Sequence, residues 1–390
     1  KNILIAIRSI FKKGRHNVMK IVSLGIGLAV GLVLIAKVYF EQSYDDFYPD
    51  RDRVYQVWAK YQQKGGELKD YPQTSGGIAP TMQQQIPEIE TVTRYTSFGD
   101  WTFTMTDTKM KYSGRCIIAD SCFFDILPRP MLIGNAKEVL STPMYVLISS
   151  RIAKNIGGDV IGKNFTVDNS PGRTMTIGGV FEEVPENSHS RYDVIVSMAS
   201  AGRFMWEGSP TNMLGNDRYI SYVKLHKGVN PLALEEQVRT FVNSYFPPEE
   251  QQKVGLSIDF SFHKLDNLHK ELPQVKRMTW ILSLLAFALI FTAVMNYILI
   301  VISSIVNRSK EVAVHKCYGA SENNIHGMMF GEALVHIVLS LILALLLILA
   351  FRGTVEELLA TSLDSLLLSN GSLVLLGICI LVFFVSGFMP

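Results

Sequence analysis

The chain has 390 residues, with 37 Lys and Arg against 35 Asp and Glu and a formal net charge of +2. That balance says little about partners, and the sequence shows no nucleic-acid signature. Charged residues make up 18%, below the roughly 25% of soluble domains, and the mean hydropathy is +0.21, which points to membrane spans rather than an ordinary soluble domain.

The chain opens with a basic segment, residues 1–20, holding Lys1, Arg8, Lys12, Lys13, Arg15 and Lys20. Residues 21–40 follow as an apolar run broken only by Ser23 and Lys37. The run is long for a signal peptide, and Glu41-Gln42-Ser43-Tyr44 stands where a small-x-small cleavage site would be, so it reads as a retained first span. Lys37 lies near its outer end and is expected to snorkel to the interface.

Residues 41–277 form a polar segment with a mixed α+β pattern. Val54 to Tyr61 alternates and carries Val, Tyr and Trp, so a strand is predicted. A short helix over Ile78 to Ile86 is stopped by Pro87. Strands are predicted over Thr91 to Thr106 and Met110 to Ile118. Tyr145 to Ile148 is a short strand running into a helix capped by Ser149. Phe165 to Val167 and Met175 to Val180 flank Asn169-Ser170-Pro171-Gly172 as a hairpin. Asn230 and Pro231 open a further helix as N-cap and first helical residue, with Leu234, Val238, Phe241 and Tyr245 as its buried side.

Three more apolar runs follow: 279–306, 328–351 and 372–390. The first would make about 42 Å of helix, more than the roughly 30 Å of a hydrocarbon core. Arg308, Lys310 and Lys316 stand between the second and third spans, whereas the loop over 352–371 holds Arg352 against Glu356, Glu357 and Asp364. The excess of Lys and Arg places the N-terminus and the 307–327 loop in the cytoplasm, and residues 41–277 outside. Four cysteines occur. Cys116 and Cys122 share the outer segment and either pair or remain two free thiols.

Other patterns carry less. Gly157-Gly158-Asp159-Val160-Ile161-Gly162-Lys163-Asn164 nearly spells a P-loop, but Asn stands where Ser or Thr must reach Mg²⁺ and the segment follows a helix. A turn after the Ser149 helix is the better reading. His189, His263 and His269 lack metal-ligand spacing. Asn296 and Tyr297, polar groups inside the second long run, are expected to face protein.

The loop between the second and third spans carries the most specific pattern. Arg308, Glu311, Val312, Val314, His315, Lys316, Gly319, Ala320 and Ser321 fit R-x-x-E-[IV]-x-[IV]-[RH]-K-x-x-G-A-[ST]. This resembles the coupling loop of MacB/FtsX-type ABC transporter permeases. The resemblance continues in Glu41-x-Ser43-Tyr44-Asp45-x-Phe47, Asp52-Arg53-Val54-Tyr55-x-Val57, Pro87-Glu88-Ile89-Glu90, Phe123-Phe124-Asp125, Gly178-Gly179-Val180 and Pro185-Glu186-Asn187-Ser188-His189, as in permeases of Bacteroidetes type. It covers nearly the whole chain. Ser386-Gly387-Phe388-Met389-Pro390 is similar to the family's ending of the fourth span, with Met where Tyr is usual.

The resemblance implies a membrane protein of four transmembrane helices with a large α/β periplasmic domain inserted between helices 1 and 2. It implies a multi-pass bacterial inner-membrane permease with no enzymatic activity and no cofactor of its own. ATP would be bound by a separate cytoplasmic ABC ATPase dimer, gripping Arg308, Lys310, Glu311, His315, Lys316, Gly319, Ala320 and Ser321. ATP hydrolysis would move the periplasmic domain and extrude a peptide, antibiotic or lipid-linked substrate. Membrane lipids, a second permease half and a periplasmic adaptor are the further partners implied. The second half would come from the same chain, this being the N-terminal half of a longer duplicated one, or from a homodimer. The alternative is an FtsX-like signalling or scaffold protein that controls a periplasmic partner such as a cell-wall hydrolase.

Overall fold

A computed structural model describes residues 17–63, 66–168, 170–307 and 322–367, with isolated positions 374, 377 and 381. The chain divides into two compact units, one over Tyr44–His269 and the other made of the residues up to Ser43 and from Lys270 onward.

The second of these is helical. Its long helices are α1 (Asn17–Gln42), α8 (Pro273–Asn307) and α9 (Glu322–Ala350), followed by the short α10 (Arg352–Leu359) and α11 (Leu363–Leu367). α1 packs between the other two long helices. Leu24, Leu28, Leu32 and Val33 of α1 share a core with Ala293 and Tyr297 of α8 and Ile337, Ala344 and Ile348 of α9. Two helical stretches, Val18–Gln42 and Pro273–Leu299, are long and apolar enough to cross a membrane, and Leu334–Ala350 bends by 69° into Arg352–Leu359 as a broken span or re-entrant turn. The described residues thus carry two or three of the four expected spans, and residues 372–390 lie outside them apart from three positions.

α8 has 35 residues, so it is about 52 Å long. Trp280, Leu284, Phe287 and Leu299 on it are more than half exposed, as an apolar surface meant for lipid or another chain must be. Two adjacent polar residues in mid-span, Asn296 and Tyr297, part company. Tyr297 is buried, while Asn296 is exposed, because neighbours on a helix point about 100° apart; only Tyr297 faces protein as expected.

The outer unit is built on one sheet. Its strands are β1 (Val54–Gln63), β2 (Lys69–Tyr71), β3 (Ile89–Met105), β4 (Lys111–Ala119), β5 (Met131–Ile133), β6 (Tyr145–Ser149), β7 (Asn164–Val167), β8 (Ser170–Phe181), β9 (Val194–Ser197), β10 (Ile220–Leu225) and β11 (Leu256–Lys264). The order is β11-β1-β10-β3-β4-β9-β6-β8-β5, with β2 on β1, and β7 on β3 and β8. The pairs β4/β9 and β6/β8 are parallel and the other pairs antiparallel. The helices between them are α2 (Ile78–Gln85), α3 (Phe123–Ile126), α4 (Ala136–Ser141), α5 (Ser150–Ile156), α6 (Glu235–Tyr245) and α7 (Pro248–Val254).

Alternation along the strands yields separate cores. At one end Val57, Ala59, Val223, Ile258 and Phe260 face Ile78, Met82, Val238 and Phe241 on α2 and α6. At the other, Phe103, Ile118, Val146, Phe165, Ile177 and Val196 pack together. Tyr48, Tyr95, Phe123, Phe181, Tyr192 and Tyr222 belong to a third, aromatic core. The long β3 is accommodated by a bulge: the register slips between Ser97 and Gly99, and Gly99 takes φ +74°, a conformation glycine adopts without penalty.

Local chemistry explains most boundaries. Ser149 accepts from Ile152 N and caps α5, and Gly157 ends it at φ +74°. Residues 157–163 therefore join a helix to a strand, the reverse of P-loop order. The helix at Asn230 differs from expectation. Pro231–Leu234 forms a 3₁₀ turn before α6, and Leu234, Val238 and Phe241 are buried, whereas Tyr245 is exposed. Its hydroxyl accepts from Gln85 Nε2 at 3.0 Å, and Val242 takes the buried position. A phenol with a polar partner at the rim gains little from full burial.

Candidate functional site

In the membrane unit the polar centre is Lys37. Its Nζ lies 2.6 Å from Glu41 Oε1 and donates to Thr361 Oγ1 at 2.7 Å. The three residues are 6%, 4% and 7% exposed. Lys37 does not snorkel. A carboxylate one helical turn away and a hydroxyl from the turn between α10 and α11 satisfy the ammonium inside the protein, which removes the drive toward the interface. Thr361 donates onward to Leu359 O at 2.9 Å. Arg352 closes the same turn, bonding Glu356 at 2.9 Å and Asp364 at 3.0 Å. The outer turn is thus folded on itself and fixed to α1.

Lower on α1, Gly27 and Gly31 form a G-x-x-x-G pair facing α8. A Cβ on Gly27 would stand 2.4 Å from Ala293 Cβ, and one on Gly31 2.6 Å from Ile290 Cγ1. The backbones of the first two spans approach through these residues. Ser340 Oγ donates to Ile21 O at 3.2 Å and ties α9 to the same helix.

In the outer unit the notable site is the entry segment. Asp45 is fully buried and takes φ +61°, a left-handed conformation that Asp tolerates better than most residues. Its Oδ1 accepts from Ser188 Oγ at 3.1 Å and from His189 N at 3.2 Å, and its Oδ2 lies 2.7 Å from His189 Nδ1. His189 Nε2 lies 2.5 Å from the Tyr222 hydroxyl. The imidazole thus bridges the Asp45 carboxylate on its Nδ1 side and the Tyr222 hydroxyl on its Nε2 side. Ser190 Oγ donates to Tyr95 OH at 2.7 Å, and the Tyr95 and Tyr222 rings stack with centroids 6.3 Å apart. Burial pushes the Tyr95 phenol up to about 12. Burial, reinforced by the Asp45 charge, also raises Tyr48 and Tyr222. Raised in this way, the phenols stay neutral rather than act as nucleophiles, and Tyr95 and Tyr222 serve as hydrogen-bonding groups. Tyr44, at the start of the unit, stacks on His269 at its end, with centroids 3.4 Å apart.

Beside the entry, Asp50 accepts from Arg53 Nε at 3.0 Å and from Lys224 Nζ at 2.6 Å, and Arg53 also pairs with Glu90. The bond from Arg53, then that from Lys224, holds the Asp50 carboxyl below its ordinary value. A depressed acid adds stability above the unfolded carboxylate range, and that stability is lost as pH falls through the folded value. Asp50→Asn should therefore flatten the acid limb of the stability–pH curve below about pH 4. Thermal unfolding at a series of pH values checks this. The effect should shrink in high salt, since the Asp50 side chain is 36% exposed.

The predicted coupling residues Arg308, Lys310, Glu311, His315, Lys316, Gly319, Ala320 and Ser321 lie outside the described residues. Cys116 and Cys122 are both free. Cys116 is fully buried on β4 in the Phe103 core, whereas Cys122 precedes α3 and turns its Sγ to Val92 O at 3.1 Å. The two thiols face different surroundings and make no disulfide. The three histidines are likewise dispersed: His189 serves Asp45 and Tyr222, His269 stacks on Tyr44, and His263 stacks on Trp58 at 4.2 Å. Sequence reasoning missed Gly27 and Gly31, although their spacing was a readable packing signal. It used Asp45, Ser188 and His189 as recognition marks without seeing that they meet.

Comparison with known proteins agrees with this architecture. Residues 19–241 match the MacB-like periplasmic core domain, and residues 283–390 match the FtsX-like permease C-terminal domain. A domain described as that of a permease protein from Porphyromonas gingivalis is 33% identical. It covers 56% of this chain and 91% of its own, with a TM-score of 0.51. The periplasmic region of MacB from Actinobacillus actinomycetemcomitans is 14% identical over 56% of this chain and 91% of its own, with a TM-score of 0.38. The extracellular domain of the transporter YknZ from Gram-positive bacteria is 11% identical over 53% of this chain and 98% of its own, with a TM-score of 0.36. No curated protein matches the chain. Paired apolar helices around a mixed α/β outer domain define a membrane transport component. The chain belongs to the MacB/FtsX-type ABC transporter permeases. It is an inner-membrane protein with a periplasmic domain, of a family whose ATPase resides on a partner subunit.

Proposed function

We propose that this permease works by mechanotransmission. A cytoplasmic ATPase dimer binds and hydrolyses ATP and grips the segment from Lys310 to Asn324 together with the basic N-terminus, with Glu311 and Lys316 in charged contact. The movement passes along the first two spans to the periplasmic domain, which acts on a peptide, antibiotic or lipid-linked substrate. The observation that carries this reading is α8. One unbroken helix of 35 residues starts four residues after the outer unit ends at His269 and runs to Asn307, immediately before the coupling pattern. A continuous helix transmits displacement along its axis, whereas a loop would absorb it. Closely packed spans one and two, joined at Gly27 and Gly31, would move as a pair.

The test is co-purification of the full chain with candidate ATPases, followed by ATPase activity in lipid discs. Wild type is expected to retain an ATPase. Glu311→Lys and Gly319→Leu are expected to lower its recovery at least about tenfold, as reversal or removal of a central interface contact does, with the membrane protein still folded. Equal recovery with both variants would sink the coupling role and leave the FtsX-like scaffold reading in its place.

A further inference from the structure

We infer that Asp45, His189 and Tyr222 form the joint through which movement of the first span enters the periplasmic sheet, a role that rests on the mechanotransmission reading. α1 ends at Gln42 and Asp45 follows three residues later. A slack linker here would dissipate any displacement of the helix. The entry segment is instead held from every side. Asp45 N donates to Asn187 O at 2.9 Å, and Asp45 O accepts from Tyr48 N at 3.2 Å. The carboxylate grips Ser188 and His189 through three further bonds. Bonds to a charged acceptor, buried away from water, are shorter and stiffer than neutral ones.

The grip leads to the middle of the sheet. His189 reaches the Tyr222 hydroxyl on β10, and β10 is paired with β1 on one side and β3 on the other. Ser190, next along the same loop, holds Tyr95 on β3. Asp45 and His189 therefore link the segment that enters the unit to Tyr222 at the centre of the sheet. The exit is pinned to the entry by the Tyr44–His269 stack, so the unit receives both linkers at one stiff node. No catalytic use fits these groups. Asp45 and Tyr222 are fully buried, which leaves a substrate no access.

These are positioning residues, and their role is separable from stability. The experiment follows amide hydrogen exchange in the full chain with its co-purified ATPase in lipid discs, with and without ATP and vanadate. In wild type, nucleotide should change exchange at residues 44–48, 185–190 and 220–225 together. Asp45→Asn should leave ATPase binding and hydrolysis intact. It should confine the nucleotide difference to 44–48 and reduce it about tenfold at 185–190 and 220–225, within the usual range of coupling between sites. Tyr222→Phe, which deletes one hydroxyl and keeps the ring, should protect 185–190 but lose the response at 220–225. His189→Asn keeps an N–H toward Asp45 but cannot reach Tyr222, and should behave like Tyr222→Phe. A purely structural network would raise exchange equally with and without nucleotide, and a nucleotide difference that survives in all three variants overturns the coupling role. If wild type itself shows no nucleotide difference over 44–225, the mechanotransmission reading fails and the joint falls with it.

Discussion

Lys37→Met is expected to destabilise the membrane unit by about 3–5 kcal/mol, the range for breaking a buried ion pair from one side. Glu41, 4% exposed, would lose the ammonium 2.6 Å away, and Thr361 would lose its donor. The loss should be largely recovered in the double variant Lys37→Met, Glu41→Leu, because apolar groups of similar volume replace a desolvated pair at little net cost. Unfolding of the purified chain in detergent, measured for both singles and the double, gives the cycle. Additive losses would show that Lys37 and Glu41 do not act as a pair. Thr361→Val should fall between wild type and Lys37→Met, since it removes one neutral partner of a charged group. It should also loosen the 352–367 turn, visible as faster proteolysis there.

The second large effect concerns Gly27. Its added Cβ would meet Ala293 Cβ, a neighbour with no rotamer to change, whereas at Gly31 the nearest atom is Cγ1 of the Ile290 side chain, which a rotamer change can move. Gly27→Leu should therefore force α1 and α8 apart. It should cost about 3 kcal/mol, the upper part of the usual range for overpacking, and Gly31→Leu should cost less. Gly27→Ala should be rescued by Ala293→Gly, which returns the missing space. Unfolding midpoints check the energies, and an engineered disulfide between the two helices should form more slowly in Gly27→Leu than in wild type. Equal midpoints for Gly27→Leu and wild type would mean the helices do not rely on close backbone approach.

The helices and strands were legible because their signals are local. Apolar runs gave α1 and α8, alternation gave β1 and β3, and Ser149 announced α5. Boundaries moved where caps decide them: Asn230 and Pro231 promised an α-helix, and the chain makes a 3₁₀ turn first. Contacts between distant residues were not legible. Lys37 looked like an interfacial lysine because nothing in the order of residues reveals Thr361, 324 positions away. Asp45 and His189 each stood inside a recognisable motif, yet only the fold shows one to be the other's hydrogen-bond partner. Tyr245 followed the helical period but sits at the rim, where its hydroxyl accepts from Gln85. The coupling pattern from Arg308 to Ser321 was the most informative string in the sequence.

The Tyr44–His269 stack also has an evolutionary and engineering consequence. A unit whose first and last residues stack ring against ring, with centroids 3.4 Å apart, has its two ends close together and can be cut out of a host chain with only a short gap to span. The periplasmic unit is then a cassette. A bundle of the same spans could exchange it for another with adjacent termini while its helices stay unchanged. A chimera joined at Ser43–Tyr44 and His269–Lys270 would be the direct way to transplant it.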